Sequence, residues 1–372
     1  MDWKSEGLLK GVEDDEGRAA RAELLDELHE EGVSIDQLRA AVEEDRLALV
    51  PAERILTSEA RYSARDIAEQ AGLPLEFFFA TRRALGLATP DPDAVAYGEE
   101  DLEAAKLGTR YREAFPEDEA IEVTRILGQG LARYAEATRT MAARAFLEPG
   151  IDEHDLARRY ETVGRELLPL VGPWMDHVFR LHLLQGLRED AVTREQLASG
   201  RLDDTQDTAV AFADLVGFTS LGESAPLEEL SGVAGRLGEL TGELVEPPVR
   251  FVKQIGDAVM LVSSDAERMV DTVVRLVEAT CDDDDFPPLR AGIAFGPAVN
   301  RWGDWYGAPV NLASRLTARA RPASVLATGE VRERVGDGWK WSSAGPKKIK
   351  GISAPVRTYR VRRAEDDRVV SP

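Results

Sequence analysis

The fold of this chain is decided by two runs of sequence, TAVAFADLVGFTSL (residues 208–221) and VRFVKQIGDAVMLV (residues 249–262). Valine, phenylalanine and alanine fill Thr208–Ala213, and this content predicts a strand. The second run consists of two short apolar stretches on either side of Gly256–Asp257, which is the pattern of a β-hairpin. The two runs therefore predict three strands, the last two joined by a tight turn.

The segments around these runs alternate between helix and strand. Leucine and valine recur at three- and four-residue steps from Leu227 to Leu244, which predicts an amphipathic helix. Helices are also predicted over Met269–Ala279 and from about Val310 to Arg319, with a strand over Leu289–Phe295 between them. The order β-α-β-β-α-β, with additions, predicts a ferredoxin-like (split βαβ) domain of the α+β class. Short strands are predicted near Ser324–Thr328, Trp339–Ser343 and Val356–Val361.

The first half of the chain has a helical pattern. Apolar residues recur at helical spacing, and prolines separate the segments. The longest predicted helical stretches run from about Pro116 to Phe146 and from Asp152 to Leu187. We therefore predict an all-helical domain over residues 1–188, a polar linker over 189–207 and the α+β domain over 208–365.

One helical segment offers a different function. Ser63–Leu87 predicts a helix, a tight turn at Gly72 and a second helix, and it resembles the helix-turn-helix of MerR-type regulators. The alternative is a two-helix packing unit with no role in DNA binding. A nucleotide-sensing transcriptional regulator that binds DNA through this segment therefore stays open as a second hypothesis.

The composition limits the classes of function. The 372 residues carry a net charge of −22, which argues against a nucleic-acid partner. No segment approaches the roughly 20 apolar residues of a membrane span, and the acidic N-terminus lacks the apolar core of a signal peptide. Cys281 is the single cysteine and cannot form an intrachain disulfide. A cytoplasmic protein without a membrane span is the expectation.

Two aspartates are the first candidates for chemistry. Asp214 follows the first predicted strand, and Asp257 lies at the hairpin tip. A carboxylate at a strand end suits Mg²⁺, and the backbone N–H groups of Leu215–Thr219 can cradle phosphate oxygens. A second aspartate on the neighbouring hairpin could complete a two-metal site. Considered alone, however, Gly256–Asp257 is equally typical of a simple turn.

Asn311 and Arg315 are the second pair of candidates. They are four residues apart and therefore share one face of a helix. A guanidinium and an amide on one face could reach the phosphate and the sugar of one ligand. An exposed polar face or a cap would give the same spacing.

Three segments in this order and spacing resemble the catalytic domain of class III adenylyl and guanylyl cyclases: FADLVGFTSL (212–221), VKQIGDAVML (252–261) and GDWYGAPVNLASRLT (303–317). The resemblance implies two Mg²⁺ or Mn²⁺ ions per active site, held by Asp214 and Asp257 together with Leu215. It implies that Lys253 and Asp304 recognise adenine, which points to ATP as the substrate. It also implies that Asn311 orients the ribose and that Arg315 stabilises charge on the transferring phosphate.

The same resemblance suggests further contacts with the triphosphate. These are Lys350, with Lys348 as the alternative, and the turn residues Val216, Gly217, Phe218 and Thr219. Arg301 is a weaker candidate, and the loop GPAVNRWGD (296–304) is short compared with the longer family members. A surface lysine cluster would explain the two lysines equally.

The resemblance also implies assembly and regulation. Family catalytic domains work as head-to-tail dimers, so a homodimer with two equivalent sites is expected. The helical half resembles the regulatory domain of actinobacterial cyclases. All four histidines lie in it, and His177 and His182 lie on the helix that leads into the linker. We therefore hypothesise regulation by pH, although four ordinary histidines are the alternative.

Overall fold

The chain is described by a computed structural model over residues 1–189, 205–218, 227–281, 283, 286–349 and 355–364. It divides into two compact units, Met1–Leu187 and Arg188–Pro372. Among the described residues, no helix combines the length and the apolar character that crossing a membrane would need.

The first unit is helical. Its helices begin after side-chain caps at several points, as where Ser34 and Ser63 each form a reciprocal capping box with the residue three positions later. A 3₁₀ turn over Leu47–Leu49 lies directly before the helix that begins at Val50. The helices are α1 (Asp15–Glu30), α2 (Ile35–Glu43), α3 (Val50–Leu56), α4 (Ala64–Ala71), α5 (Leu75–Ala84), α6 (Glu99–Ala114), α7 (Glu117–Phe146), α8 (Glu153–Glu166) and α9 (Leu168–Glu189).

The helical stretch predicted from Asp152 to Leu187 is confirmed as helical, and it is divided into the two helices α8 and α9. The first ends at Glu166 and the second begins at Leu168. Pro169 explains the break, because proline has no backbone N–H to donate to the carbonyl four residues earlier.

The segment that resembles a helix-turn-helix forms α4 and α5, with Gly72 in the left-handed conformation at a φ of 69°. Its apolar residues are buried in a small core that includes Ile67, Phe78 and Tyr97. Arg82, near the end of α5, forms an ion pair with Asp101 at 2.9 Å. The segment is thus a packing unit of the helical half.

The second unit is built on one eight-stranded sheet. Its strands are β1 (Gln206–Leu215), β2 (Arg250–Ile255), β3 (Ala258–Ser263), β4 (Leu289–Arg301), β5 (Asp304–Gly307), β6 (Ser324–Thr328), β7 (Trp339–Lys347) and β8 (Val356–Arg363). Seven of them lie in the order β2-β3-β1-β4-β6-β8-β7, and β5 pairs with β4. All neighbours are antiparallel except β4 and β6, which are parallel.

Helices cover both faces of this sheet. Ala209, Ala211 and Ala213 of β1 belong to a core with α10 (Leu227–Leu244) and α11 (Ala266–Cys281). Val210 belongs to the opposite core, with α12 (Ala308–Thr317). Alternate residues of β1 thus face opposite cores. A short helix, α13 (Gly329–Arg332), completes the unit, and the predicted α+β architecture is confirmed.

Two strands are longer than predicted. β1 extends to Leu215, so Asp214 lies within the strand rather than after it. β4 continues to Arg301 and pairs with β5 through the register Arg301↔Asp304. The segment GPAVNRWGD, expected to be a loop, is therefore mostly the arm of a hairpin. Its turn contains Trp302 and Gly303, both with positive φ.

Candidate active site

An ion pair holds the first aspartate in place. Asp214 accepts hydrogen bonds from Arg290 Nε at 2.9 Å and Nη2 at 2.5 Å, both to its Oδ2 atom. The register of the sheet explains the contact, because Asp214 on β1 is the direct partner of Arg290 on β4. The guanidinium neutralises a carboxylate whose side chain is only 19% exposed.

The second aspartate lies next to the first. Burial raises the pKa of the Asp257 carboxyl, and the charge of Asp214 and a hydrogen bond with it raise this pKa further. The Arg290 guanidinium acts in the opposite direction. Two neighbouring carboxylates, one of which has a raised pKa, form a donor set suited to a divalent cation, which relieves their repulsion.

Backbone hydrogen bonds join the hairpin tip to the end of β1. Leu215 N donates to Asp257 O at 3.1 Å, and Val216 N donates to Pro288 O at 2.9 Å. These two N–H groups, expected to cradle phosphate, are thus engaged with protein carbonyls. Gly217 has a φ of 81°, and Phe218 packs against the core below α10 and α11. Thr219 lies outside the described residues.

A second ion pair joins the residues expected to recognise the base. Lys253 Nζ on β2 contacts Asp304 Oδ2 on β5, and both side chains are about one-third exposed, at 38% and 33%. Asp304 Oδ1 also accepts the backbone N–H of Trp305 at 2.9 Å. An ammonium and a carboxylate are therefore held side by side where solvent still reaches them.

The expected pair Asn311 and Arg315 lies on α12. Asn311 is exposed and its Nδ2 donates to Gly307 O at 3.4 Å, while Arg315 lies half-buried in the last turn. Thr317 Oγ1 donates to Phe212 O at 3.0 Å and fixes this helix to β1. Ion pairs join Asp214 to Arg290 and Lys253 to Asp304. Among the described residues, no ion pair includes Arg315.

The remaining expected phosphate contacts are only partly described. Lys350 lies outside the described residues. Lys348 is exposed, and its carbonyl accepts a hydrogen bond from Arg319. The Arg301 guanidinium lies 6.0 Å from the ring of its neighbour Trp302, at the turn between β4 and β5.

Comparison with known proteins identifies both units. Residues 1–187 match the family model described as adenylate cyclase regulatory domain, and residues 201–363 match the adenylate and guanylate cyclase catalytic domain. The chain is 43% identical over 355 residues to the pH-sensitive adenylate cyclase of Mycobacterium tuberculosis (strain CDC 1551 / Oshkosh), covering 93% of this chain and 89% of that protein. The chain belongs to the class III adenylate cyclases.

A second relative and a solved structure are also similar to this chain. An adenylate cyclase of Streptomyces coelicolor is 35% identical to this cyclase over 290 residues, covering 76% of this chain and 74% of that protein. The crystal structure of the adenylyl cyclase CyaB from P. aeruginosa matches this cyclase with 23% sequence identity and a TM-score of 0.38. The match covers 45% of this chain and 99% of that chain.

Sequence reasoning missed Arg290. Its position within the predicted strand Leu289–Phe295 made it one polar residue in an apolar run. A signal was present, because a charged residue in a strand covered on both faces requires a partner of opposite charge. Identifying Asp214 as that partner required the pairing of β1 with β4.

The histidines of the regulatory unit differ in their surroundings. His177 and His182 on α9 are both exposed. His154 at the start of α8 is only 8% exposed, and its Nε2 lies 3.0 Å from Glu27 Oε2 on α1. Its Nδ1 lies 3.9 Å from Glu23 Oε2 on the same helix, so a carboxylate faces each ring nitrogen.

Proposed function

We propose that this cyclase converts ATP to 3′,5′-cyclic AMP and pyrophosphate at a homodimer interface, under the control of its helical unit. The observation that carries the proposal is that one catalytic unit contains both the ion pair of Lys253 and Asp304 and the neighbouring carboxylates of Asp214 and Asp257, so that two copies could supply two complete sites. One pair suits a purine base, and the other suits the metal ions of a triphosphate.

The chemistry of Lys253 and Asp304 favours adenine over guanine. The Lys253 ammonium is a donor and can donate to adenine N1, while the Asp304 carboxylate can accept from the exocyclic amine. Guanine presents an N–H at N1 and a carbonyl oxygen at C6. The N1 donor of guanine would then face the Lys253 donor, and its C6 carbonyl acceptor would face the Asp304 acceptor.

The carboxylates Asp214 and Asp257 would hold two Mg²⁺ or Mn²⁺ ions. Hard oxygen donors and a raised pKa at Asp257 fit such ions. When bound, the ions would supply Lewis-acid stabilisation of the 3′-alkoxide and of the phosphate charge.

The reaction is an in-line displacement. The ribose 3′-hydroxyl gives its proton to solvent water and its oxygen forms a bond to the α-phosphorus, while the bond from that phosphorus to the oxygen that bridges the α- and β-phosphates breaks and pyrophosphate leaves. Asn311 would hold the ribose in the orientation for attack. Arg315 would offset the negative charge that develops around the α-phosphorus.

The proposed homodimer places the two groups of residues on different subunits. One subunit supplies Asp214 and Asp257, and the other supplies Lys253, Asp304 and the α12 pair. Large exposed side chains on the strands that carry Lys253 and Asp304 support this assembly: Ile255 on β2 is 53% exposed, and Tyr306 on β5 is 57% exposed. Apolar side chains in such positions are suited to burial against a partner.

Regulation by pH is part of the proposal. The similar protein from M. tuberculosis is named as pH-sensitive. In this cyclase His154 lies between two carboxylates, with its Nε2 atom 3.0 Å from Glu27 and its Nδ1 atom 3.9 Å from Glu23, so an imidazolium ring at this position would be attracted to both. Its protonation would therefore strengthen the contact between α1 and α8. His177 and His182, both exposed, are the other candidates.

Product formation by the purified protein tests the function directly. We expect cyclic AMP from ATP with Mn²⁺ or Mg²⁺, and little or no cyclic product from GTP. Asp214→Ala should lower the turnover about 100-fold or more, because it removes a metal ligand from a folded protein. Asp207→Ala is the matched control, since Asp207 is an exposed aspartate on the same strand. Full activity in Asp214→Ala would refute the metal assignment.

A further inference from the structure

The strand β2 contains an irregularity that changes the direction of its side chains. Arg250 pairs with Val262 and Phe251 with Leu261, but Lys253 pairs with Met260, so Val252 is an extra residue. In a regular strand, residues three apart face opposite sides of the sheet. The bulge at Val252 instead turns Arg250 and Lys253 toward the same face, the face of Met260 and Val262.

Both cationic side chains reach β5 from this face. Lys253 pairs with Asp304. The Arg250 guanidinium lies 5.4 Å from the ring centre of Trp305, the next residue along. Two neighbouring contacts thus connect β2 to β5, one ionic and one between a cation and an aromatic ring.

Trp305 is well placed to transmit the effect of this contact. It is 5% exposed and packs with Val210, Met260 and Ala313 between the sheet and α12. Its backbone N–H donates to the Asp304 carboxylate at 2.9 Å. A shift of Trp305 would therefore move the Asp304 carboxylate, which is expected to accept a hydrogen bond from the base.

We propose that Arg250 is a positioning residue for base selection: its stacking on Trp305 sets the place of Asp304 relative to Lys253. The inference rests on the proposed function, because it concerns how adenine is preferred over guanine. Arg250 itself does not touch the base. A guanidinium is suited to this role because its planar face covers an aromatic ring better than an ammonium does.

The test compares kinetic constants of full-length variants with ATP and with GTP. Arg250→Met keeps most of the side-chain volume and removes the charge, whereas Arg250→Lys keeps the charge. We expect Arg250→Met to raise the KM for ATP with little change in kcat. The ratio of kcat/KM for ATP to that for GTP should fall about tenfold. Arg250→Lys should retain part of the ratio.

A matched control is a contact of the same type that does not involve Lys253, Asp304 or Trp305. The Arg332 guanidinium lies 4.6 Å from the ring centre of Tyr359, between α13 and β8. Arg332→Met should leave the ATP-to-GTP ratio unchanged. Thermal unfolding of every variant shows whether the fold is kept, and a general loss of folded protein would lower kcat for both nucleotides without altering the ratio.

The outcomes separate this inference from the function on which it rests. A wild-type protein that makes no cyclic AMP would overturn the proposed function and the inference with it. An active, ATP-selective wild type with an unchanged ratio in Arg250→Met would overturn the inference alone. An equal fall of the ratio in Arg332→Met would also overturn the inference, because the effect would then not depend on the contact with Trp305.

Discussion

At the scale of single residues, the site contains charges that oppose one another. Asp214 and Asp257 are neighbouring carboxylates, and one guanidinium, Arg290, lies beside them. The raised pKa of Asp257 means that the folded protein holds this proton more tightly than the unfolded chain does. Ionised Asp257 therefore lowers the free energy of unfolding at neutral pH, and this loss disappears as the pH falls below the unfolded pKa. The role proposed for Asp257 as a metal ligand thus conflicts with the stability of the fold.

Asp257→Asn tests that conflict. In the presence of a chelator at neutral pH, the variant should have a Tm a few degrees higher than the wild type, because it removes the repulsion of Asp214 and the cost of burying a charge. The gain should shrink as the pH is lowered, since the wild-type carboxyl then takes up a proton. Turnover should be lost. Thermal unfolding at several pH values measures the effect, and a lower Tm for Asp257→Asn at neutral pH would contradict it.

At the scale of elements, the position of α12 depends on close contact with β4. A Cβ atom added at Gly292 would lie 2.4 Å from Thr317 N and 2.5 Å from Ala313 O. Only a residue without a side chain lets the helix approach the strand this closely. Since α12 carries Asn311 and Arg315, the same contact sets where their side chains lie.

Gly292→Ala should therefore damage both stability and turnover. The added methyl group must push α12 away from β4, at a cost of about 1–3 kcal/mol in the free energy of unfolding. Gly235→Ala on α10 is the control, because a Cβ at Gly235 meets nothing within 4 Å. Alanine there should stabilise the helix by about 0.5–1 kcal/mol. Denaturant unfolding and ATP turnover of both variants provide the measurement, and equal stability would contradict the argument.

At the scale of the whole molecule, a helical unit and a catalytic unit share one chain. The helical unit contains an ion pair between Arg21 and Glu153, in which the arginine side chain is 11% exposed and the glutamate side chain is 32% exposed. His154 follows Glu153 and faces two carboxylates of α1. Charged groups thus link α1 to α8, and they include a histidine, the type of side chain that can change its charge near neutral pH.

The dependence of activity on pH should therefore differ between the full-length protein and a truncated protein that begins near Asp204. His154→Gln should change the full-length profile toward the truncated one, by about fivefold or more at the pH of greatest difference. The double variant His177→Gln and His182→Gln tests the exposed histidines in the same assay. Parallel profiles for the full-length and truncated proteins would exclude control by the helical unit.

The sequence by itself determined the element order and the identity of the family. Apolar periodicity depends on residues a few positions apart, so it predicted α10 with its bounds and both strands of the β2–β3 hairpin to within one residue. The three quoted motifs identified the class III cyclases because their residues are contiguous. The positions of Asp214, Lys253 and Asp304 could be named from those motifs without any coordinates.

Only the tertiary structure decided which of these residues meet. Arg290 reaches Asp214 across 76 positions of sequence, and the pairing of β1 with β4 is not a local property. The bulge at Val252 and the hairpin formed by GPAVNRWGD likewise depend on the partner strand. The sequence does not distinguish His154 from the other three histidines, because its burial depends on the packing of α1 on α8. Local patterns fix elements, whereas register and burial arise when the chain closes on itself.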